Sequence, residues 1–268
     1  MTWFQAIITA IVEGLTEFIP ISSTAHMKFA QAFMGVDPKD AFVNMFDIVI
    51  QFAAILAVLV LYWKKFMNFK SLDFYKKLIV AVIPSLIFGA LLKKHIEAVL
   101  GNITVIASVT LLGGIVLIFI DKWFTRPTID KEENITYGNA IKIGTYQILS
   151  IIFPGLSRSA ATIIGGMSSK LTRSLAAEFS FFLAVPTMAA ATAKEIYDTY
   201  KETPEAFHSG NTSMLLVGCL IAFVISVISI RFFINYLNKH GFKAFGIYRV
   251  IAGIIILALG LMGAITVS

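Results

Sequence analysis

The sequence predicts an all-α integral membrane protein with six transmembrane helices and two re-entrant helix–loop–helix hairpins, arranged as an inverted-topology repeat. Hydrophobic residues make up 57% of the 268 residues and charged residues only 14%, whereas soluble domains carry about 25% charged residues. Such a composition leaves too little polar surface to coat a soluble particle. The mean hydropathy of +0.82 likewise indicates a membrane protein. Long apolar runs predict the spans, and two apolar stretches interrupted by proline and serine predict the hairpins.

Six apolar runs are candidates for membrane spans, because a spanning helix needs about 20 residues. They cover residues 42–62, 78–92, 103–120, 175–195, 213–236 and 244–266. The second run is short and contains Pro84 and Gly89, so the pattern defines its ends poorly. The chain is predicted to form a single membrane domain over residues 1–268.

Two further apolar stretches, residues 3–33 and 139–169, are interrupted at their centres. Prolines and serines break them at residues 20–24 and 154–159. Irregular polar backbone at membrane depth is tolerated only where it lines a cavity or is covered by protein. Each half of each stretch is also too short to span a bilayer. Both stretches are therefore predicted to form re-entrant hairpins.

The two halves of the chain resemble each other. Glu13 precedes Pro20 by seven residues, Gln147 precedes Pro154 by seven, and a serine-rich triplet follows each proline. We therefore predict two internal repeats, about 1–122 and 123–268, each with one hairpin and three spans. Because three is an odd number, the second repeat must enter the membrane from the opposite side. The two hairpin tips can then meet near the midplane.

Charge predicts the orientation of the spans. Residues 63–77 carry five lysines and a single acid, so this loop is predicted to be cytoplasmic. Alternation then puts the acidic segment 196–212 and both termini outside, and puts three further segments inside. Those segments are residues 121–140, 168–174 and 237–243. Since these loops account for the basic residues behind the net charge of +6, nucleic acid is not an expected partner.

Two acids lie in the first predicted hairpin, where ionisable groups are expensive and are functional candidates. Glu13 and Glu17 are spaced by four residues, so a helix puts both carboxylates on one face. Their charges would repel unless a cation lies between them. The spacing suits a divalent metal or an acid–base pair, and two unrelated helix-surface acids are the alternative. The single cysteine, Cys219, excludes a cysteine-based metal site.

Ser22, Ser23 and Thr24 fall where the second half of the first hairpin should begin. A helix N-terminus there would offer unpaired N–H groups and a positive dipole end to an anion. Ordinary helix capping explains the same residues. His26, three residues beyond Ser23, could activate a hydroxyl or protonate a leaving group. A hydrogen-bonded structural histidine is the alternative.

The tip of the second hairpin carries Arg158 between Ser157 and Ser159. A guanidinium at membrane depth needs a fixed partner, and its fork matches two phosphate oxygens at once. A structural ion pair with Glu13 or Glu17 is the alternative. Because the inverted repeat brings the acidic and basic tips together, the sequence favours a phosphate-handling site between them.

Residues 13–26 and 154–159 closely resemble the two signature motifs of the undecaprenyl-pyrophosphate phosphatase family, the bacitracin-resistance type. The resemblance covers essentially the whole chain, and Ala25 stands where many members carry glycine. It implies removal of the terminal phosphate of undecaprenyl pyrophosphate, a membrane-bound polyprenyl lipid, which regenerates the monophosphate lipid carrier used to build peptidoglycan. It also implies a divalent cation, Mg²⁺ or Ca²⁺, and six spans with two re-entrant hairpins.

Residue by residue, the resemblance implies that Glu13 and Glu17 are the catalytic acids and that Arg158 binds phosphate. Ser23 and His26 match the serine and histidine of the first motif. We expect Ser23, or a water beside it, to attack in line while His26 moves the proton. Phosphate is expected to contact the remaining hydroxyls of the two tips as well. Those hydroxyls belong to Ser22, Thr24, Ser157 and Ser159.

A secondary transporter or lipid flippase is the competing class, because many carriers share inverted repeats with broken helices. Paired acids with Ser23, His26 and Arg158 are more than anion binding requires, which favours an enzyme. The expected location is a bacterial cell membrane, with the site open to the outer face. The sequence leaves the oligomeric state open, a homodimer included.

Overall fold

The computed structural model describes residues 1–67, 72–92, 99, 102–207 and 209–262. Over these ranges the chain folds into ten helices of eleven or more residues. The helices of the first half are α1 Trp3–Thr16, α2 Ser23–Phe33, α3 Ala41–Leu61, α4 Leu72–Leu91 and α5 Ile103–Trp123. Those of the second half are α6 Tyr137–Ile152, α7 Arg158–Ser168, α8 Arg173–Glu202, α9 Ser209–His240 and α10 Lys243–Leu261.

Six of these helices, α3, α4, α5, α8, α9 and α10, are long and apolar enough to cross a membrane. The six predicted spans are therefore confirmed. The two largest differences are at α8, which ends at Glu202 rather than at residue 195, and at α4, which begins at Leu72 rather than at residue 78. Its polar first turns stay helical because Asp73 pairs with Lys77 one turn later, at 2.6 Å. Pro84 lies inside α4 without ending it, and residues 263–266 of the last predicted span lie outside the described residues.

Each interrupted stretch folds into two short helices joined by a break: α1 with α2, and α6 with α7. Ser22 and Ser157 cap the second helix of each pair and have positive φ angles of 75° and 78°. A non-glycine residue in that region costs about 1–3 kcal/mol, so surrounding contacts must hold both breaks in place. The helix–break–helix pairs are observed. Their re-entrant depth in the bilayer stays a prediction.

The first helix of each hairpin packs against the second span of the other half: α1 against α9, and α6 against α4. Glycines permit this close approach. A Cβ at Gly14 would lie 2.8 Å from the carbonyl oxygen of Ala222, and one at Gly144 would overlap the carbonyl of Ala81. The third spans, α5 and α10, pack against each other. Two structurally related halves would produce such an exchange of partners, while the repeat boundaries themselves stay a prediction.

Apolar side chains cover the outward faces of α4, α9 and α10. Those exposed include Ile79, Leu86, Leu216, Leu220, Ile251 and Ile254. A soluble protein rarely exposes so many large hydrophobic residues together, whereas a surface that faces lipid is apolar. The interior instead lies around α3 and α8, where phenylalanines such as Phe46, Phe179 and Phe182 are fully buried. The chain is a multi-pass membrane protein.

Candidate active site

The two hairpin breaks meet at the carboxylate of Glu17. Its Oε1 accepts a hydrogen bond from Nη2 of Arg158 at 2.5 Å, and its Oε2 accepts one from the Ser23 hydroxyl at 2.5 Å. Glu17 and Ser23 are 7% exposed, and the Arg158 side chain is 13% exposed. Charge-assisted bonds of this length are the stronger class of hydrogen bond. The structure thus brings together three of the predicted site residues from both tips.

Local structure explains how each of the three is presented. Glu17 keeps helical backbone angles at the end of α1, and its N–H donates to the carbonyl of Glu13. Ser23 and Arg158 are the first helical residues of α2 and α7. Both N-termini therefore lie at the site, with their unpaired N–H groups and positive dipole ends. Phe18, next to Glu17, is buried edge-on against Phe181 of α8, with ring centroids 5.1 Å apart.

Arg158 is also tied to α8. Its Nη1 donates to the carbonyl oxygen of Ser180 at 3.3 Å. Thr162, one turn further along α7, donates to the Arg158 carbonyl at 2.9 Å, and its hydroxyl lies 2.6 Å from that of Ser180. Since one edge of the guanidinium is held by backbone and the other by Glu17, the side chain has a defined orientation.

Glu13 is fully buried one turn before Glu17. Neither of its carboxylate oxygens has a hydrogen-bond partner in the described part of the chain. A buried carboxylate without a partner is costly and calls for a proton, a cation or water. Mg²⁺ is commonly held by one or two carboxylates together with water and substrate phosphates. Glu13 and Glu17 fit that pattern, although the described residues contain no cluster of three or more metal-ligating side chains.

The remaining hydroxyls of the two tips have different surroundings. Ser22 and Ser157 accept capping hydrogen bonds from the N–H groups of Ala25 and Ala160, at 3.4 and 3.2 Å. The Ser159 hydroxyl lies 3.0 Å from that of Ser157. Thr24 is half-buried in the first turn of α2. The alternative reading of Ser22 as a helix cap is therefore observed, and Ser157 has the same role in the second hairpin.

The ring of His26 makes its hydrogen bonds with other groups than the Ser23 hydroxyl, which donates to Glu17. Its Nδ1 lies 2.8 Å from the carbonyl oxygen of Ser22, so Nδ1 carries the proton there. Its Nε2 lies 2.8 Å from the hydroxyl of Tyr248, and the two rings stack at 5.5 Å. In this arrangement the acceptor nearest to the Ser23 proton is a carboxylate, and the imidazole is held as a structural histidine would be.

Sequence reasoning missed Arg249, which is fully buried on α10. Its guanidinium donates to the carbonyls of both hairpin breaks, those of Pro20, Gly155 and Leu156. An ionisable residue inside an apolar span is a functional candidate by default. Because Arg249 lies within the predicted span 244–266, that signal was present in the sequence.

Asp47, inside the first predicted span, was missed in the same way. It is buried on α3, where it accepts hydrogen bonds from Lys28 at 3.0 Å and from Gln31 at 2.6 Å. Gln147, the counterpart of Glu13 in the second hairpin, is also buried. Its amide nitrogen donates to Thr187 at 3.3 Å, and its oxygen has no hydrogen-bond partner among the described residues.

The fold and the site define a class: a multi-pass membrane protein with a buried carboxylate–hydroxyl–guanidinium cluster where two broken hairpins meet. The chain belongs to the family of the bacitracin resistance protein BacA, whose family model matches residues 6–255. It is 50% identical over 258 residues to an undecaprenyl-diphosphatase of Flavobacterium johnsoniae, with 96% of each chain covered.

More distant relatives carry the same description. An undecaprenyl-diphosphatase of Porphyromonas gingivalis is 47% identical over 279 residues, with 98% of each chain covered. One from Desulfitobacterium hafniense is 40% identical over 266 residues, covering 95% of this chain and 94% of the relative. The similarity therefore extends over both hairpins and all six spans.

Proposed function

We propose that this chain is an undecaprenyl-diphosphatase, which hydrolyses undecaprenyl pyrophosphate to undecaprenyl phosphate and inorganic phosphate. The observation that carries the proposal is the Glu17 carboxylate shared between Ser23 and Arg158, in a chain whose relatives over nearly their full length bear that name. The reaction regenerates the monophosphate lipid carrier for cell-wall synthesis. It thereby gives resistance to bacitracin, which the family is named for.

The chemistry starts at the Ser23 hydroxyl. Phosphoryl transfer depends mainly on positioning and on neutralising charge at the transferred group. Ser23 Oγ attacks the terminal phosphorus in line and passes its proton to Glu17, 2.5 Å away. A bond from Oγ to phosphorus forms, and the bond from phosphorus to the bridging oxygen breaks, which releases undecaprenyl phosphate. Water then hydrolyses the phosphoserine to inorganic phosphate.

Arg158 and the two helix N-termini neutralise the developing charge. The Arg158 guanidinium shares its fork between Glu17 and the phosphate oxygens. Free N–H groups at the starts of α2 and α7 contact the remaining oxygens. The hydroxyls of the tips add to this cradle, and they belong to Ser22, Thr24, Ser157 and Ser159.

His26 takes a positioning role in this scheme. Its bond to the Ser22 carbonyl fixes the residue that caps α2, and its bond to Tyr248 fixes the imidazole. Glu17 therefore replaces His26 as the acceptor of the Ser23 proton. This assignment follows from which group the hydroxyl contacts, and it revises the expectation drawn from the sequence.

The divalent cation, Mg²⁺ or Ca²⁺, is proposed to bind at Glu13 and Glu17. Both oxygens of Glu13 are free of other hydrogen bonds within the described residues, which supports Glu13 as the main ligand. When bound, the cation neutralises pyrophosphate charge and polarises the terminal phosphate. Glu13 would hold the cation, and Glu17 would add a ligand while it stays hydrogen-bonded to Ser23 and Arg158.

The proposed location is the bacterial cell membrane, with the site open to the outer face. The start of α8 contacts the ends of two other helices. Arg173 pairs with Asp121 at the end of α5, and Ser174 donates to Asn238 near the end of α9, so these three helix ends lie at one end of the molecule. Since basic loops cluster there, that end is assigned to the cytoplasm. A homodimer stays a prediction, and every proposed site residue comes from one chain.

Lipid translocation is the second candidate, supported by the two broken hairpins that meet inside the protein. The decisive experiment measures phosphate release from undecaprenyl pyrophosphate in detergent by wild type and Arg158→Ala, with and without a chelator. Release by wild type that the variant loses and the chelator suppresses supports a cation-assisted phosphatase. A folded wild-type protein that releases no phosphate contradicts it and points to translocation.

A further inference from the structure

Arg249 lies at the centre of a set of hydrogen bonds that reaches both hairpins. Its side chain is fully buried, and its guanidinium donates to four backbone carbonyls. Nη1 donates to Pro20 at 3.0 Å and to Leu156 at 2.8 Å, Nη2 to Gly155 at 2.9 Å, and Nε to Thr110 at 3.1 Å. No carboxylate pairs with it among the described residues. The charge is therefore compensated by backbone dipoles alone.

Three of the four carbonyls belong to the breaks in the two hairpins. Pro20 lies three residues before Ser23, and Leu156 lies two residues before Arg158. Backbone carbonyls at an interrupted helix have no helical partner, and burying them unpaired is costly. Arg249 satisfies the carbonyls of both breaks from a single planar group, so it also fixes the distance between the two breaks.

The neighbouring helix is shaped to accept this side chain. A Cβ at Gly113 of α5 would overlap Nη2 of Arg249, and one at Gly114 would lie 2.7 Å from the Arg249 Cβ. The glycine pair therefore leaves the space that the guanidinium occupies. Gly155 has a φ angle of 101°, which glycine adopts readily. In this conformation its carbonyl oxygen accepts the hydrogen bond from Nη2 of Arg249.

We propose that Arg249 is a positioning residue that holds the two hairpin breaks in register, so that Ser23 and Glu17 of one hairpin meet Arg158 of the other. The inference rests on the proposed phosphatase function. The effect needs to extend only a short way along the chain, because the carbonyls of Pro20 and Leu156 lie three and two positions before Ser23 and Arg158. A shift of about 1 Å at a reacting group can lower a rate by about 100-fold.

The arrangement of donors matters here, and charge by itself is not sufficient. A lysine keeps the positive charge but replaces the planar fork with a single ammonium that cannot reach the same four carbonyls. Arg249→Lys is therefore expected to behave as a loss of function. Gly113→Ala tests the same inference while Arg249 itself is unchanged. The added methyl group would overlap Nη2 and so displace the guanidinium from the carbonyls that it bonds.

A matched control separates positioning from simple packing of α5 against α10. A Cβ at Gly253, one turn beyond Arg249, would lie 2.7 Å from the Leu111 Cβ and 3.0 Å from the Ala107 carbonyl oxygen. Gly253→Ala therefore disturbs the packing of α5 against α10 without contacting the Arg249 guanidinium or the carbonyls that it bonds. Its cost should appear in stability and leave the chemistry of the folded protein unchanged.

The experiment compares Arg249→Lys, Gly113→Ala and Gly253→Ala with wild type in detergent. Thermal unfolding, kcat and KM for undecaprenyl pyrophosphate are measured separately. Wild-type turnover is established first, so failure of the proposed function is distinguished from failure of this inference. Arg249→Lys and Gly113→Ala are expected to lower kcat by about 100-fold while KM changes by less than about threefold. Gly253→Ala is expected to lower Tm and keep kcat within about twofold of wild type.

Either of two results overturns the proposal. One is a folded Arg249→Lys protein whose kcat stays within about threefold of wild type. The other is a Gly253→Ala protein that loses kcat as severely as Arg249→Lys. A double-variant cycle with Arg158→Lys adds an independent readout. Two residues that act on one geometry give a combined loss well below the product of the single losses, whereas independent effects multiply.

Discussion

Glu17 of the first hairpin and Arg158 of the second form a largely buried ion pair, with Nη2 and Oε1 2.5 Å apart across 141 positions of sequence. Burying two charges costs desolvation free energy that the attraction between them only partly repays. Such a pair is therefore a weak source of stability. The pair also holds the carboxylate on the Ser23 hydroxyl, and we interpret it as an arrangement maintained for chemistry.

The first prediction concerns the Arg158 fork. Arg158→Lys should lower kcat/KM by about 10²–10³-fold, because the three donors of an ammonium lie on one nitrogen and do not reproduce the planar fork whose Nη1 and Nη2 bond Ser180 and Glu17. Phosphate release in detergent measures the change. Arg173→Lys is the matched control. Arg173 pairs with Asp121 in a half-exposed ion pair at one end of the helices, so its activity should stay within about twofold of wild type.

The second prediction concerns the nucleophile. Ser23→Ala should abolish turnover, and acid-quenched wild-type enzyme should carry phosphoserine at residue 23. Mass spectrometry of the quenched protein detects the modification. Ser168→Ala is the control, because among the described residues the Ser168 hydroxyl bonds only the Gly165 carbonyl in its own helix. Persistent turnover by Ser23→Ala would contradict a phosphoserine intermediate and would leave a water molecule as the attacking group.

The third prediction concerns the cation. Glu13→Gln keeps the shape of the side chain but removes its charge, so a higher concentration of Mg²⁺ or Ca²⁺ should be needed for half-maximal activity. Without substrate, the cation should raise the Tm of wild type and raise that of Glu13→Gln less. Gln147 is the counterpart of Glu13 in the second hairpin. Adding Gln147→Glu to the Glu13→Gln variant should not restore the rise in Tm that the cation causes in wild type. An equal thermal shift in wild type and Glu13→Gln would exclude Glu13 as a ligand.

The fourth prediction concerns His26. Because Glu17 accepts the Ser23 proton, Tyr248→Phe, which removes the partner of His26 Nε2, should lower kcat by less than about tenfold. Tyr236 and His240 form another tyrosine–histidine ring contact, in α9, with ring centroids 4.7 Å apart. Tyr236→Phe is the control and should leave kcat unchanged. A loss with Tyr248→Phe as large as that with Ser23→Ala would return the proton transfer to His26.

The fifth prediction concerns the buried pair of Lys28 and Asp47, whose side chains are 11% and 6% exposed. Asp47→Ala leaves the ammonium without its partner and should lower the free energy of unfolding by about 3–5 kcal/mol. Replacing both residues, Lys28→Met with Asp47→Leu, should recover most of that loss, because no charge then remains buried. Chemical unfolding in detergent measures both variants. If the double variant is no more stable than Asp47→Ala, the ion pair is not the cause.

Much of the fold could be predicted from local sequence. Hydropathy located all six spans, because a helix that crosses lipid must be apolar over about 20 residues. The interruptions at residues 20–24 and 154–159 located both hairpins, since irregular backbone cannot face lipid. The start of α4 was placed at residue 78 instead of Leu72, because the pairing of Asp73 with Lys77 extends the helix past its apolar part.

The membership of the site was also largely predictable. Glu17, Ser23 and Arg158 were singled out as polar groups in apolar stretches, and the structure brings them within hydrogen-bonding distance. Their connections were not predictable. His26, three residues from Ser23, was the nearest base along the chain, but α2 directs its imidazole to Ser22 and Tyr248.

The sequence by itself determined which segments lie in the membrane and which polar residues are candidates for chemistry. Both are properties of neighbouring residues, since they follow from the cost of placing charge and unpaired backbone in lipid. Only the tertiary structure decided that Glu17 joins Ser23 to Arg158 and that Arg249 holds the two breaks. Those bonds cross 141 and 229 positions of sequence, so they depend on how α1, α2, α7 and α10 pack, and no local pattern specifies that packing.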